Sequence, residues 1–109
     1  MIMWTEVDKR SGVAYTLEIE PEDIPVKGNA MASGDDKEDK KVEDWINRQL
    51  RSGNLWAWCT VVCTARLGDK EGRDTLGACS YKSTAQFIQP GGYWKDMKAQ
   101  ALADLVSKK

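Results

Sequence analysis

From Val13 to Ile19 the chain alternates: Val13, Tyr15, Leu17 and Ile19 are separated by Ala14, Thr16 and Glu18. That period of two is the signature of a half-buried strand. With residues 2–8 as a partner arm and Lys9-Arg10-Ser11-Gly12 as the turn, it predicts an N-terminal hairpin. Pro21 and Pro25 stop any strand beyond it. Residues 20–36 then form a long polar connection, a length that usually marks function or disorder. A helix is expected from Asp35 or Asp36. Asp35 with Glu38 three residues on fits a capping box with Asp in place of Ser or Thr. Asp36, Glu38 and Asp39 suit the positive end of the helix dipole. Val42, Trp45, Ile46, Gln49 and Leu50 fall on one face, and Gly53 ends the helix.

Residues 55–67, Leu-Trp-Ala-Trp-Cys-Thr-Val-Val-Cys-Thr-Ala-Arg-Leu, predict the central strand, largely apolar on both faces. Residues 68–74 read as a hairpin loop and 75–81 as the return strand. Centring that loop on Glu71 sets Cys63 opposite Cys79 and Val61 opposite Tyr81. A one-residue slip would turn every side chain to the other face. Ser83 caps a short turn over 84–88, and Pro90-Gly91-Gly92 breaks it. A last helix is predicted from Tyr93 to Ser107, with Tyr93, Met97, Ala101, Leu102 and Leu105 inward. Lys95, Asp96, Lys98 and Gln100 point largely outward, and Lys108 and Lys109 suit the negative end of its dipole. The sum is a single α+β domain over 1–109, an antiparallel three- to four-stranded sheet packed against two helices. The hairpin fills residues 1–24, the long loop 20–36, and a helix-strand-strand-helix core follows from 37.

A length of 109 residues leaves room for one core. No run of about 18 apolar residues predicts a membrane span. The first residues lack a basic stretch followed by an apolar one, so no secretory signal is expected. There is no histidine, which removes His triads, His acid/base chemistry and His metal sites. Cys59, Cys63 and Cys79 are an odd count without a signal, the usage of reduced thiols in a cytosol. They are expected as packed free thiols.

The net charge of -1 hides a split: residues 1–44 hold twelve acids and six bases, residues 45–109 five acids and ten bases. Such asymmetry can mark a partner face. Asp35, Asp36, Glu38 and Asp39 bring carboxylates together, but Lys37, Lys40 and Lys41 interleave them. The run matches no calcium loop, so no metal and no cofactor is expected. Nucleophile elbows, phosphate loops and dinucleotide fingerprints are absent from the sequence. The order helix-strands-helix resembles that of double-stranded-RNA-binding domains, where lysines opening the last helix meet phosphates. Lys82, Lys95, Lys98, Arg66 and Arg73 are the candidates for such a role. Five tryptophans are many for this length. On a regular strand Trp56 and Trp58 would share one sheet face, and tryptophan is enriched at interface hot spots.

Three stretches together, 25–36 (Pro-Val-Lys-Gly-Asn-Ala-Met-Ala-Ser-Gly-Asp-Asp), 53–59 (Gly-Asn-Leu-Trp-Ala-Trp-Cys), and 76–81 (Leu-Gly-Ala-Cys-Ser-Tyr) with 91–97 (Gly-Gly-Tyr-Trp-Lys-Asp-Met), resemble a group of small uncharacterised proteins encoded by tailed bacteriophages and prophages. The resemblance spans most of residues 25–105 and leaves out the first 24. It brings no activity. It implies a bacterial cytoplasm and an accessory role. The expectation is a non-enzymatic phage accessory protein that binds a host or phage protein, with no membrane partner. One form would be an inhibitor of a bacterial defence system of the anti-CRISPR kind. Asp35, Asp36, Asp39, Trp56 and Trp58 are the expected contacts. The alternative is a nucleic-acid-binding module using the basic C-terminal half. A self-assembling homodimer, through the Trp face or a sheet edge, comes third.

Overall fold

The computed structural model describes residues 1–30 and 33–108. Met31 and Ala32, in the expected long loop, and Lys109, expected at the last helix end, lie outside the described residues. Four strands form one antiparallel meander: β1 (Ile2–Val7), β2 (Ala14–Pro21), β3 (Cys59–Leu67) and β4 (Lys70–Cys79), side by side in that order. Helix α1 (Asp36–Arg51) lies between β2 and β3 in sequence. Helices α2 (Thr84–Ile88) and α3 (Tyr93–Ser107) follow β4. The α+β class is as expected, and the N-terminal hairpin forms half of the sheet.

One sheet face holds the core. Tyr15, Leu17 and Ile19 of β2 and Cys59, Val61, Cys63 and Ala65 of β3 are buried there against Trp94, Met97, Ala101 and Leu105 of α3. Spacings of three and four residues along α3 make that stripe. The stripe begins one residue later than the sequence suggested: Tyr93 is 56% exposed and Trp94 is buried in its place. Lys98, expected outward, folds back over the rings of Tyr15 and Trp94 at 5.8 and 5.5 Å. The helix crosses the sheet obliquely. Its first turns reach Glu6 on β1, and its last turns reach β4. Gly72 of β4 makes that crossing possible, because a Cβ there would lie 2.7 Å from Leu105 Cα and closer still to the Ala101 carbonyl oxygen.

Among the described residues, no helix packs broadly on the other sheet face. The register puts Thr5, Val7, Thr16, Val62, Thr64, Arg66, Arg73 and Thr75 there. Thr64 is buried at its centre, and among the described residues its hydroxyl has no hydrogen-bond partner.

Two predicted features differ. The 55–67 segment is not one strand: Leu55–Ala57 is a turn of 3-10 helix, and β3 begins at Cys59. Leu55-Trp56-Ala57-Trp58 has no β-branched residue, whereas Thr60, Val61 and Val62 do, and these fit the pleated sheet. The second difference is the β3–β4 register. Cys59, not Cys63, faces Cys79, and Cys63 faces Asp74; Val61 faces Leu76 rather than Tyr81. The predicted loop 68–74 is a two-residue connection, Gly68-Asp69, with Gly68 at φ +61. Glycine first in a two-residue hairpin suits a primed turn, which keeps the strands' natural twist. The polar stretch from Lys70 to Asp74 is therefore strand, at the sheet's outer edge.

All three cysteines are free and buried. Burial pushes the thiols of Cys59 and Cys63 up to about 12 and that of Cys79 up to about 11. Thiolate is the reactive form. Iodoacetamide at pH 8 is therefore expected to leave the native chain unlabelled while labelling all three cysteines in urea. Rapid labelling of the native chain would show the core to be open.

Candidate interaction site on helix α1

Helix α1 does not lie on the sheet. It packs against the 3-10 turn and the 25–30 segment, where Ile46, Ala57 and Trp58 are buried and Val26, Ala30, Val42, Trp45 and Leu50 are half-buried around them. This second cluster extends the molecule to 49 Å along its longest axis, against 24 Å across. The predicted inward face of α1 is the observed one, but its counterpart is loop rather than strand.

That counterpart is built from the tryptophans. Residues two apart in a 3-10 turn point to different sides, unlike residues two apart in a strand. Trp56 turns into the sheet core, donates to Thr84 Oγ1 at 3.1 Å, and packs against Phe87 and Tyr81 at centroid distances of 5.3 and 6.1 Å. Trp58 turns towards α1 and donates to the Ile24 carbonyl at 2.7 Å. They are 3% and 4% exposed. The expected two-tryptophan contact face does not exist, and Trp56 and Trp58 are core residues.

The acidic candidates divide in two. Asp35 is the N-cap of α1, its carboxylate accepting from the backbone of Lys37 at 3.0 Å and Glu38 at 3.4 Å. Asp39 accepts from the Ser33 hydroxyl at 2.7 Å and its backbone N–H at 3.2 Å. Both hold the start of the helix. The return half of the expected capping box is missing: the Asp35 N–H donates to Ser33 Oγ, and Glu38 instead pairs with Lys41. Asp36 is exposed and enters no hydrogen bond through its side chain or ion pair among the described residues. About two turns further, half-buried Glu43 and exposed Asp44 likewise enter no side-chain hydrogen bond or ion pair among the described residues. With Asp39, Lys40 and Asn47 they line an open groove of about 660 Å³, closed on its other side by Lys27 and Gly28. Glu43, Asp44 and Lys27 were missed from the sequence. The signal was there: 36, 39/40, 43/44 and 47 repeat at the helical period.

The basic candidates are not gathered. Arg66 and Arg73 lie on the bare sheet face, and each pairs with Glu71, at 2.6 and 3.3 Å. Lys98 is on the covered face in an ion pair with Glu6 at 3.0 Å. Lys82 precedes α2 and Lys95 sits in the first turn of α3; both are exposed. The five come from three elements and a connection, on both faces of the sheet.

Two further carboxylates are fixed rather than free. Glu22 accepts from Thr60 Oγ1 at 2.7 Å and from the backbone of Ala78 at 2.6 Å and Asp23 at 3.1 Å. The Thr60 hydroxyl first, then those two amides, hold its carboxyl below the ordinary value. It ties the segment after β2 to the irregular end of β4, where Ala78 sits at φ +53. Glu6 accepts from the indoles of Trp94 at 2.7 Å and Trp4 at 3.1 Å and from Lys98. Among the described residues, no three His, Cys, Asp or Glu side chains converge where a metal ion could sit, and no helix is long and apolar enough to cross a membrane.

No family model, curated protein or solved structure matches the chain.

Proposed function

We propose that this chain is a non-enzymatic binding protein whose α1 groove docks a partner protein through a basic surface. One contrast supports the reading over nucleic-acid binding. Most of the basic candidates are already ion-paired within the chain: Arg66 and Arg73 share Glu71, and Lys98 pairs with Glu6. Among the described residues Asp36, Glu43 and Asp44 enter no ion pair, and with Asp39 they outnumber Lys27 and Lys40 in one groove on a helix that projects from the sheet. Unpaired acids on a rigid helix attract a basic patch and orient it. A nucleic-acid-binding channel on a protein offers such a patch. In a phage setting, occupying that channel would be one way to silence a host defence complex.

Two readouts test it. The tagged chain, incubated with nuclease-treated bacterial lysate, is expected to retain a defined basic protein. That retention should weaken as salt rises from 0.05 to 0.5 M, because exposed charge pairs are screened. Retention of nucleic acid alone, lost with nuclease, would instead favour the Lys82 and Lys95 side of the molecule.

A further inference from the structure

The two edges of the sheet are unlike. At β4 side chains occupy the outward backbone at three places along the edge. Asp104 accepts from the Arg73 N–H at 2.9 Å, Lys108 donates to the Glu71 carbonyl at 3.2 Å, and Glu22 accepts from the Ala78 N–H. At β1 no such covering exists among the described residues. The Asp8 N–H donates to the Val13 carbonyl. By the alternation of an antiparallel ladder, Glu6 and Trp4 then also bond to β2, while the N–H and C=O of Thr5 and Val7 point outward. Among the described residues, four of the eight exposed large apolar side chains, Met1, Ile2, Trp4 and Val7, belong to this strand and the residue before it. The only charged residue within Ile2–Val7 is Glu6, already bonded to Lys98. Edge strands are normally protected by lysine, proline or a bulge. Here the bulge between Ile2 and Trp4 leaves Trp4–Val7 regular.

We infer that β1 pairs antiparallel with β1 of a second copy of this chain, giving a closed dimer with one continuous eight-stranded sheet. The blocked β4 edge decides for a second copy in a closed pair: copies can join only β1 to β1, so growth stops at two. The strand is also self-complementary. A twofold axis at Thr5 bonds Thr5 to its own counterpart and sets Met3 beside Val7. It places the Trp4 indole beside the Glu6 carboxylate of the second copy, the pairing already made within one chain at 3.1 Å. A single strand pair is smaller than a standard interface, so the dimer forms at about 1–100 µM rather than nanomolar concentration. This inference is independent of the α1 groove, which lies on another element.

Sedimentation of the full chain from about 5 to 500 µM tests it. The mass is expected to rise from 12.2 kDa to twice that value and stop. Val7→Lys puts a charge on the edge, and Thr5→Pro removes an outward N–H without touching the β2 ladder. Each should hold the mass at that of one chain at 500 µM, with circular dichroism unchanged; if the proline variant unfolds, the lysine variant decides. Thr5→Cys should give a disulfide-linked dimer under glutathione disulfide, while Thr16→Cys, away from the axis on the same face, should not. A wild-type mass of one chain at 500 µM, a mass climbing beyond two, or undiminished dimer in Val7→Lys would overturn it.

Discussion

A methyl group at Gly72 is expected to cost the fold about 3 kcal/mol or more. The Cβ would meet the backbone of α3 at Ala101 and Leu105. Backbone atoms cannot rotate aside as a side-chain end can, so either the helix lifts or the strand bends. Overpacking usually costs roughly 1–3 kcal/mol, and a clash between two main chains belongs at the top of that range. For a domain of this size each kcal/mol moves the melting temperature by roughly 4–8 °C. Gly72→Ala should therefore melt more than about 12 °C below wild type, by circular dichroism. A loss of only a few degrees would mean that α3 does not lie this close to β4.

The second large effect is expected at Glu6. Its carboxylate joins the edge strand to α3 through Trp94 and Lys98, with Trp4 closing the third side. Glu6→Ala leaves the nearly buried Trp94 indole without its acceptor and the Lys98 ammonium without its counter-ion. Unpaired buried groups cost roughly 1–3 kcal/mol each. Lys98 keeps 26% of its side chain exposed, so water offsets part of that. A total near 2–3 kcal/mol is expected, and Glu6→Gln, which still accepts, should lose about half as much. The pH profile follows in sign. Burial pushes the Glu6 carboxyl up, but the Trp94 indole, the Lys98 ammonium and the Trp4 indole outweigh it and hold it below its ordinary 4.5. The folded chain thus keeps this group ionised to lower pH than the unfolded chain does. Its contribution is complete above pH 4.5 and fades as pH falls through the folded value. Urea titrations between pH 6 and 3 should show wild type losing stability more steeply than Glu6→Ala. Parallel curves would remove Glu6 from the account.

Much of the fold was legible because local signals agreed with tertiary packing. The 13–19 alternation, the Asp35 cap, the Ser83 cap and the Tyr93–Ser107 helix all appear where the sequence puts them. The errors fall where two local readings compete. Hydrophobicity made Leu55–Trp58 read as strand, and the absence of β-branched residues was the weaker signal that prevailed. Polarity made 70–74 read as loop, although an edge strand under a helix can be polar. That slip moved the Cys79 partner from Cys63 to Cys59. The candidate site was half legible. Asp36 stands in the groove, without an ion pair among the described residues. Asp35 and Asp39 proved to hold the helix start, because carboxylates at a helix N-terminus are drawn to its free N–H groups. Trp56 and Trp58 were lost as surface residues once the backbone between them left the strand.

The central claim is that the α1 groove is the contact surface. Its direct test compares two variants of equal fold by retention of the basic partner from nuclease-treated lysate. Asp36→Lys/Glu43→Lys/Asp44→Lys reverses the groove while sparing the Asp35 cap and the Asp39–Ser33 clamp. Lys82→Ala/Lys95→Ala removes the unpaired bases among the nucleic-acid candidates. The account predicts at least a tenfold loss of retained partner in the first and none in the second. Full retention by the groove variant, or loss confined to the lysine variant, would contradict it.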